Sequence, residues 1–246
     1  CNAVFFVHYL FYMKRIVTIL FFFGMGQAVF AQLRLPALFA DNMVMQQQVA
    51  NKVWGWALPS ETVRVRFLEK DYSTMADKSG RWSISLSPAP AFTKAAMVIT
   101  TATKEISISN IIFGEVWVCG GQSNMEYTMQ DVSSTYPEEI ASAKNDDIRF
   151  IIVDHKISNK EESSFTAASN TYWQAINRES VRRCSAIAYF FAKKIHQRLG
   201  IPVGLIHSSW GGTPAESWTS GELIGSVPGY ESFAADIQQN QQNLKE

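Results

Sequence analysis

EVWVCGGQSNMEYTM (residues 115–129) joins an apolar strand to the start of a helix through a glycine turn. Val116 and Val118 alternate along the strand, Gly120 and Gly121 open the turn, and Ser123 stands where a helix can begin. A serine hydroxyl is a weak nucleophile at neutral pH; it needs a base for its proton and N–H donors for the oxyanion it creates. The first N–H groups of a helix have no partner within it and sit at the positive end of its dipole. Ser123 is therefore the nucleophile candidate, with its own N–H as one oxyanion donor.

Working outward, the downstream pattern alternates strands with helices. A helix is expected over about Tyr136 to Lys144, with Pro137 where a missing N–H costs little. An almost continuously apolar strand follows at Ile148 to Val153, then a polar loop from Asp154 to Asn170. The next helix runs from about Ser185 to Leu199, with Ile187, Phe190, Phe191, Ile195 and Leu199 as its expected buried stripe. Lys193, Lys194 and Arg198 lie off that stripe, and Gly200 and Pro202 end the helix. Val203 to Ile206 reads as another buried strand. Apolar strands alternating with helices imply a parallel sheet covered on both faces. Ligands of such sheets bind beyond the carboxyl ends of the strands, which puts Ser123 and the Gly211-Gly212 pair on one rim.

Upstream, residues 32–110 read as short strands of period two. Val63, Val65 and Phe67 alternate with arginines, Trp82, Ile84 and Leu86 with serines, and Ile106 and Ile108 follow the same rule. Leu58-Pro59-Ser60 and Lys78-Ser79-Gly80 supply turns. A small all-β antiparallel sandwich is expected there, ahead of an α/β domain over 111–246. Trp54, Trp56 and Trp82 are either core or stacking platforms for sugars, and core is the expected assignment. Tyr230 to Glu246 is polar and glutamine-rich and reads as an interruption rather than an ending.

Residues 1–31 read as upstream residues followed by a targeting segment. Met13-Lys14-Arg15 is a basic start, Ile16 to Gly24 an apolar run, and Val29-Phe30-Ala31 a small-residue cleavage site. Lys14 and Arg15 interrupt the apolar runs and argue against a membrane span. The expectation is export, to the periplasm or outside the cell. With Lys plus Arg at 22 and Asp plus Glu at 22, the chain has no basic excess for binding nucleic acid through phosphates. Cys119 and Cys184, both in apolar patterns, are expected as buried thiols.

Two blocks, GGQSNMEY and SSWGGTPAESW (residues 208–218), closely resemble the sialate O-acetylesterase family, a branch of the SGNH hydrolases. Met125, where a G-x-S-x-G elbow has its second glycine, sets GQSNM apart from the α/β-hydrolases. The resemblance implies an SGNH-type, flavodoxin-like parallel-sheet domain, incomplete at its C-terminus, with a β-domain before it. It implies an esterase that removes O-acetyl groups from sialic acids or related glycans through an acetyl-enzyme, with no metal or organic cofactor. Gly212, with Gly211 as the near alternative, is the second oxyanion donor, because glycine lets backbone approach substrate closely. Gln122 and Asn124 orient the turn or touch substrate, Glu216 holds the Gly-Gly-Thr loop, and His207 contacts substrate. In SGNH enzymes the base is the histidine of a D-x-x-H block, which this chain lacks; His155 follows Asp154 directly, the wrong spacing. Arg178, Arg182 and Arg183 are candidates, by type, for a sugar carboxylate. The alternatives are an esterase for acetylated xylan or another polysaccharide, and a non-catalytic glycan-binding fragment.

Overall fold

The computed structural model describes residues 33–158, 162, 164–165, 172–233, 235–236 and 239. The targeting segment expected at 1–31 lies outside them. Strands β1 (Val44–Gln46), β2 (Asn51–Trp56), β3 (Thr62–Phe67), β4 (Lys70–Met75), β5 (Arg81–Leu86) and β6 (Lys94–Thr100) lead into β7 (Glu105–Gly121). After β7 come helices α1 (Ser123–Glu126) and α2 (Pro137–Ala141), strands β8 (Lys144–Ile152) and β9 (Gln174–Asn177), helix α3 (Ala186–Leu199), β10 (Val203–Ser209) and helix α4 (Gly221–Gly225).

The sheet order is β4-β3-β6-β7-β10-β8-β9, with β1 added in parallel beside the middle of β7 and with β2-β5 as a separate antiparallel pair. At its centre β7, β10 and β8 are parallel, while β9 closes the far edge antiparallel. The fold is thus mixed α/β around a mostly parallel central sheet. β7 takes part in three pairings, one of them with β1 over Ile112 to Gly114. Its first part pairs antiparallel with β6 and its last seven positions, Glu115 to Gly121, pair in parallel with β10. One continuous strand therefore runs through position 110, and the pairings with β6 and with β10 lie on separate stretches of it.

Period two explains the packing of the early strands. Val63, Val65 and Phe67 on β3 and Trp82, Ile84 and Leu86 on β5 all turn inward into one core with Val53, Met97, Ile99 and Ile108. Burying a side chain of this size contributes about 1.5–3 kcal/mol. Trp82 is core, as expected. Trp54 and Trp56 are only half-buried and line an open groove with Lys52, Asp77 and Arg81; Arg34 lies 4.2 Å above the Trp56 ring.

The central sheet has two different coverings. Cys119, Ile148, Phe150, Val203 and Leu205 pack in the core that α3 covers. Val116, Ile151 and Ile206 pack in the other core, shared with the early strands and Trp173, whose indole N–H donates to the Leu38 carbonyl at 2.9 Å. Among the described residues a β layer, not a second layer of helices, covers that face. Val118, further along β7, is 71% exposed.

α3 begins and ends where its residues dictate. Ser185 is its N-cap, with a hydroxyl that accepts from Ala188 N–H at 3.3 Å, and Gly200 closes it in the left-handed region at φ 64°. Ser185→Ala is expected to cost about 1 kcal/mol of stability, read as a lower urea midpoint with an unchanged slope. The expected buried stripe needs correction. Ala188, Tyr189 and Ala192 face the sheet, joined by half-buried Phe190 and Ile195, while Ile187 and Leu199 are 49% and 57% exposed. Two alanines one turn apart let the helix approach the strands closely, and this turns the larger residues to the flank. There Phe191 meets Trp117 edge-on at 5.0 Å. α2 is also shorter than expected, since Lys144 already pairs with Asn177 at the start of β8.

Cys119 and Cys184 are both buried and free. Burial pushes the Cys119 thiol up to about 11 and raises that of Cys184 further, so both stay protonated. Among the described residues no helix is long and apolar enough to cross a membrane.

Candidate functional site

The parallel pairing of β7 with β10 places Ser209 opposite Gly121, and Trp210 N–H donates to the Gly121 carbonyl at 2.9 Å. The two strands therefore end side by side, and the chain segments that leave them are neighbours. After Gly121 the extended residue Gln122 starts the single turn α1, in which Met125 and Glu126 donate to the Gln122 carbonyl and Tyr127 to that of Ser123. As the first helical residue, Ser123 has an N–H that the helix does not use. Ser123 is exposed on the rim, as are Gln122 and Asn124.

Ser123 and the glycine loop are in contact. A Cβ placed on Gly211 would lie 3.0 Å from Ser123 Oγ and 2.5 Å from Glu126 Oε2, so only glycine fits there without displacing one of them. Gly211 N–H donates to Glu126 Oε2 at 2.7 Å. Gly212 sits at φ 76° with open space beside it.

Two histidines flank this point. His155, three residues past the end of β8, stacks on Trp210 with ring centroids 4.5 Å apart and planes 4° from parallel. Its Nε2 is 2.8 Å from the Ser209 carbonyl and 3.4 Å from Glu126 Oε1. A carbonyl only accepts, so Nε2 carries the proton. His207, on β10, is buried with Nε2 2.6 Å from Ser209 Oγ. Burial lowers its pKa, against a smaller opposing pull from the Met125 carbonyl and Glu126. The Met125 carbonyl is near the ring without completing a hydrogen bond to the buried Nδ1. Both imidazoles thus spend Nε2 on Ser209, and among the described residues neither bonds the Ser123 hydroxyl.

A pocket of about 350 Å³ opens beside this group, lined by Glu126, His155, His207, Arg182 and Arg183 among others. Arg182 donates to Gln130 at 2.6 Å. Arg178 lies elsewhere and holds the Ala141 carbonyl. Among the described residues no cluster of metal-ligating side chains is present.

Of the residues singled out by sequence, Ser123, Gly211, Gly212 and His207 come together, with Gln122 and Asn124 on the same turn. Glu216 does not hold the glycine loop. It lies in the short turn Ala215–Trp218, and its hydrogen bond raises the pKa of the Tyr230 hydroxyl. The carboxylate on the loop is that of Glu126, which the sequence reading passed over. Its signal was the three-residue spacing from Ser123, which puts both side chains on one face of a helical turn. The spacing from Asp154 argues against His155, yet it follows the end of a parallel strand, where ligand sites gather. Trp218 spans the loop, donating to Thr213 Oγ1 at 2.8 Å.

Comparison with known proteins gives concordant results. Residues 113–245 match a family described as carbohydrate esterase, sialic acid-specific acetylesterase. Human sialate O-acetylesterase is 28% identical over 223 residues, covering 81% of this chain and 42% of that protein. The mouse sialate O-acetylesterase is 28% identical over 201 residues, covering 75% and 37%. A carbohydrate acetylesterase from Xanthomonas citri superposes with a TM-score of 0.73 at 29% identity, over 79% of this chain and 44% of that one. The chain spans about two fifths of the length of the curated relatives it matches.

Proposed function

Because the chain belongs to the sialic acid-specific acetylesterase family of carbohydrate esterases, we propose that it carries the nucleophile and part of the oxyanion hole of a serine esterase acting on O-acetylated sialic acids. In this reading Ser123 Oγ attacks the acetyl carbonyl, its proton passes to a base, and the sugar oxygen leaves with a proton from that base. Water then cleaves the acetyl-enzyme to acetate. Ser123 N–H and Gly212 N–H hold the oxyanion, and Gln122, Asn124 and His207 border the sugar. The base comes from a D-x-x-H block of the full-length protein, and no metal or cofactor takes part. The observation that carries this reading is the contact between Ser123 Oγ and the Gly211 position across two adjoining strand ends.

The strands before β7 form a sandwich domain ahead of an SGNH-type sheet, and that sheet continues beyond these residues. Among the described residues Glu115 to Gly121 of β7 pair only with β10, and the open edge on their other side supports the second point. The basic and apolar pattern over residues 13–31 directs export to the periplasm or the cell exterior.

The substrate separates into two chemistries. Arg182 and Arg183, both lining the pocket beside Glu126, favour an acidic sugar over a neutral acetylated xylan. Steady-state hydrolysis of O-acetylated sialic acid and of acetylated xylan by the full-length protein tests this, with Ser123→Ala as the control. Arg182→Ala/Arg183→Ala is expected to raise KM for the acidic ester about 5- to 50-fold, a range reduced for solvent exposure, and to leave the neutral ester unchanged. Equal shifts for both esters would remove the carboxylate subsite. Faster turnover of xylan than of sialate would select the polysaccharide reading, and no turnover of either would select glycan binding alone.

A further inference from the structure

The carboxylate of Glu126 joins three chain segments that meet at the rim. It belongs to α1, it accepts from Gly211 N–H at 2.7 Å, and its other oxygen lies 3.4 Å from His155 Nε2. His155 in turn holds the Ser209 carbonyl at 2.8 Å and stacks on Trp210. Residues 209, 210 and 211 are each gripped by this one cluster.

We propose that Glu126 is a positioning residue for the oxyanion hole: by holding Gly211 N–H itself, it sets the loop so that Gly212 N–H is the loop's donor to the oxyanion. The inference rests on Ser123 as nucleophile. Two observations lead to it. Gly211 N–H is already engaged, whereas Gly212 N–H has no partner among the described residues. The loop also lies as close to α1 as glycine allows, since a Cβ on Gly211 would meet both Ser123 Oγ and Glu126 Oε2.

A carboxylate cannot itself stabilise an oxyanion, and the oxygen of Glu126 nearest the loop is occupied by Gly211 N–H rather than by the Ser123 hydroxyl, which fits a positioning role. Its side chain is 38% exposed, which leaves its charge well screened. The hold therefore comes from the hydrogen bond, which a glutamine amide oxygen can also accept. A rival account makes Glu126 a plug: if Gly211 N–H were the donor, the carboxylate would block it, and its removal would speed the reaction.

The test uses the full-length enzyme with an acetyl ester, together with amide exchange at Gly211. Glu126→Ala is expected to lower kcat about 10- to 100-fold, the scale of a misplaced catalytic group, with KM changed less than about threefold. Gly211 amide exchange should accelerate in the same variant. Glu126→Gln should restore slow exchange and bring kcat back to within about fivefold of the parent, because it keeps the acceptor. A kcat at or above that of the parent in Glu126→Ala overturns the proposal, a rise identifying the plug. Glu126→Gln as impaired as Glu126→Ala overturns it in favour of the charge, and unchanged exchange at Gly211 removes the hydrogen bond itself. Turnover that survives Ser123→Ala refutes the nucleophile. Turnover lost in Ser123→Ala but full in Glu126→Ala refutes the role of Glu126 alone.

Discussion

Ser123→Ala in the full-length protein is expected to lower kcat for acetyl-ester hydrolysis by about a thousand- to a million-fold, the range for removing a serine nucleophile. The remainder would come from the oxyanion donors and substrate binding, which the substitution leaves in place. Stability should change by less than about 0.5 kcal/mol, because the residue is exposed on the rim and its hydroxyl makes no hydrogen bond among the described residues. The pairing of these two results is the useful measurement. A lost turnover with a retained melting temperature locates the chemistry at Oγ, whereas a variant that hydrolyses the ester within tenfold of the parent would show that another group attacks. The variant should still bind acetylated sugar, since alanine removes the hydroxyl and leaves the strand ends as they are.

Arg149→Met is expected to cost about 2–4 kcal/mol of stability and to leave the chemistry of the folded enzyme unchanged. Arg149 lies on β8 and is 5% exposed. Its Nη1 donates to the carbonyls of Asn42 and Asn110 at 2.9 and 2.6 Å, its Nε to that of Asp146 at 3.0 Å, and its Nη2 to Asn110 Oδ1 at 3.4 Å. Desolvation by burial is the main influence on the guanidinium and lowers its pKa, with Asp147 and Asp146 opposing it. Asn42 and Asn110 both adopt left-handed backbone, φ 67° and 53°, which asparagine tolerates better than most residues. The guanidinium thus ties the turn before β1 and the middle of β7 to the central sheet, and methionine would fill the space while leaving those acceptors unmatched. A neighbouring polar pocket of about 580 Å³ lets water reach part of the cluster, which keeps the expected loss at the lower end for a buried charged group. Arg149→Lys should recover little, because one ammonium cannot reproduce the fork. The measurement is the urea midpoint of Arg149→Met at constant slope; a loss under about 1 kcal/mol would show that the cluster is dispensable.

Much of the site was legible in the residues. The apolar runs end at Cys119 and Ile206 and the strands continue a little further, to Gly121 and Ser209, but parallel strands carry their ligands at one rim, so Ser123 and the glycine pair were expected together. Both ends of α3 were readable from Ser185 and Gly200, since caps are local. Its buried face was not. Periodicity ranks residues by hydrophobicity, while contact with a sheet selects for close approach, and Ala188 and Ala192 displaced Ile187 and Leu199 from the interface. The glutamates were exchanged for a similar reason: Glu216 stands next to the glycine block in sequence, but Glu126 stands next to it in space.

Local chemistry, then, was enough to pick out the rim serine, the glycines and the turns that follow the strands, because each of these depends on a few neighbouring residues. Which carboxylate grips Gly211 was settled elsewhere. That bond joins residues 85 positions apart, and its length depends on the register of β10 against β7, a seven-residue pairing held by buried side chains on both faces of the sheet. A shift of that register by one residue would turn every β10 side chain to the opposite face and leave Glu126 with no loop to hold.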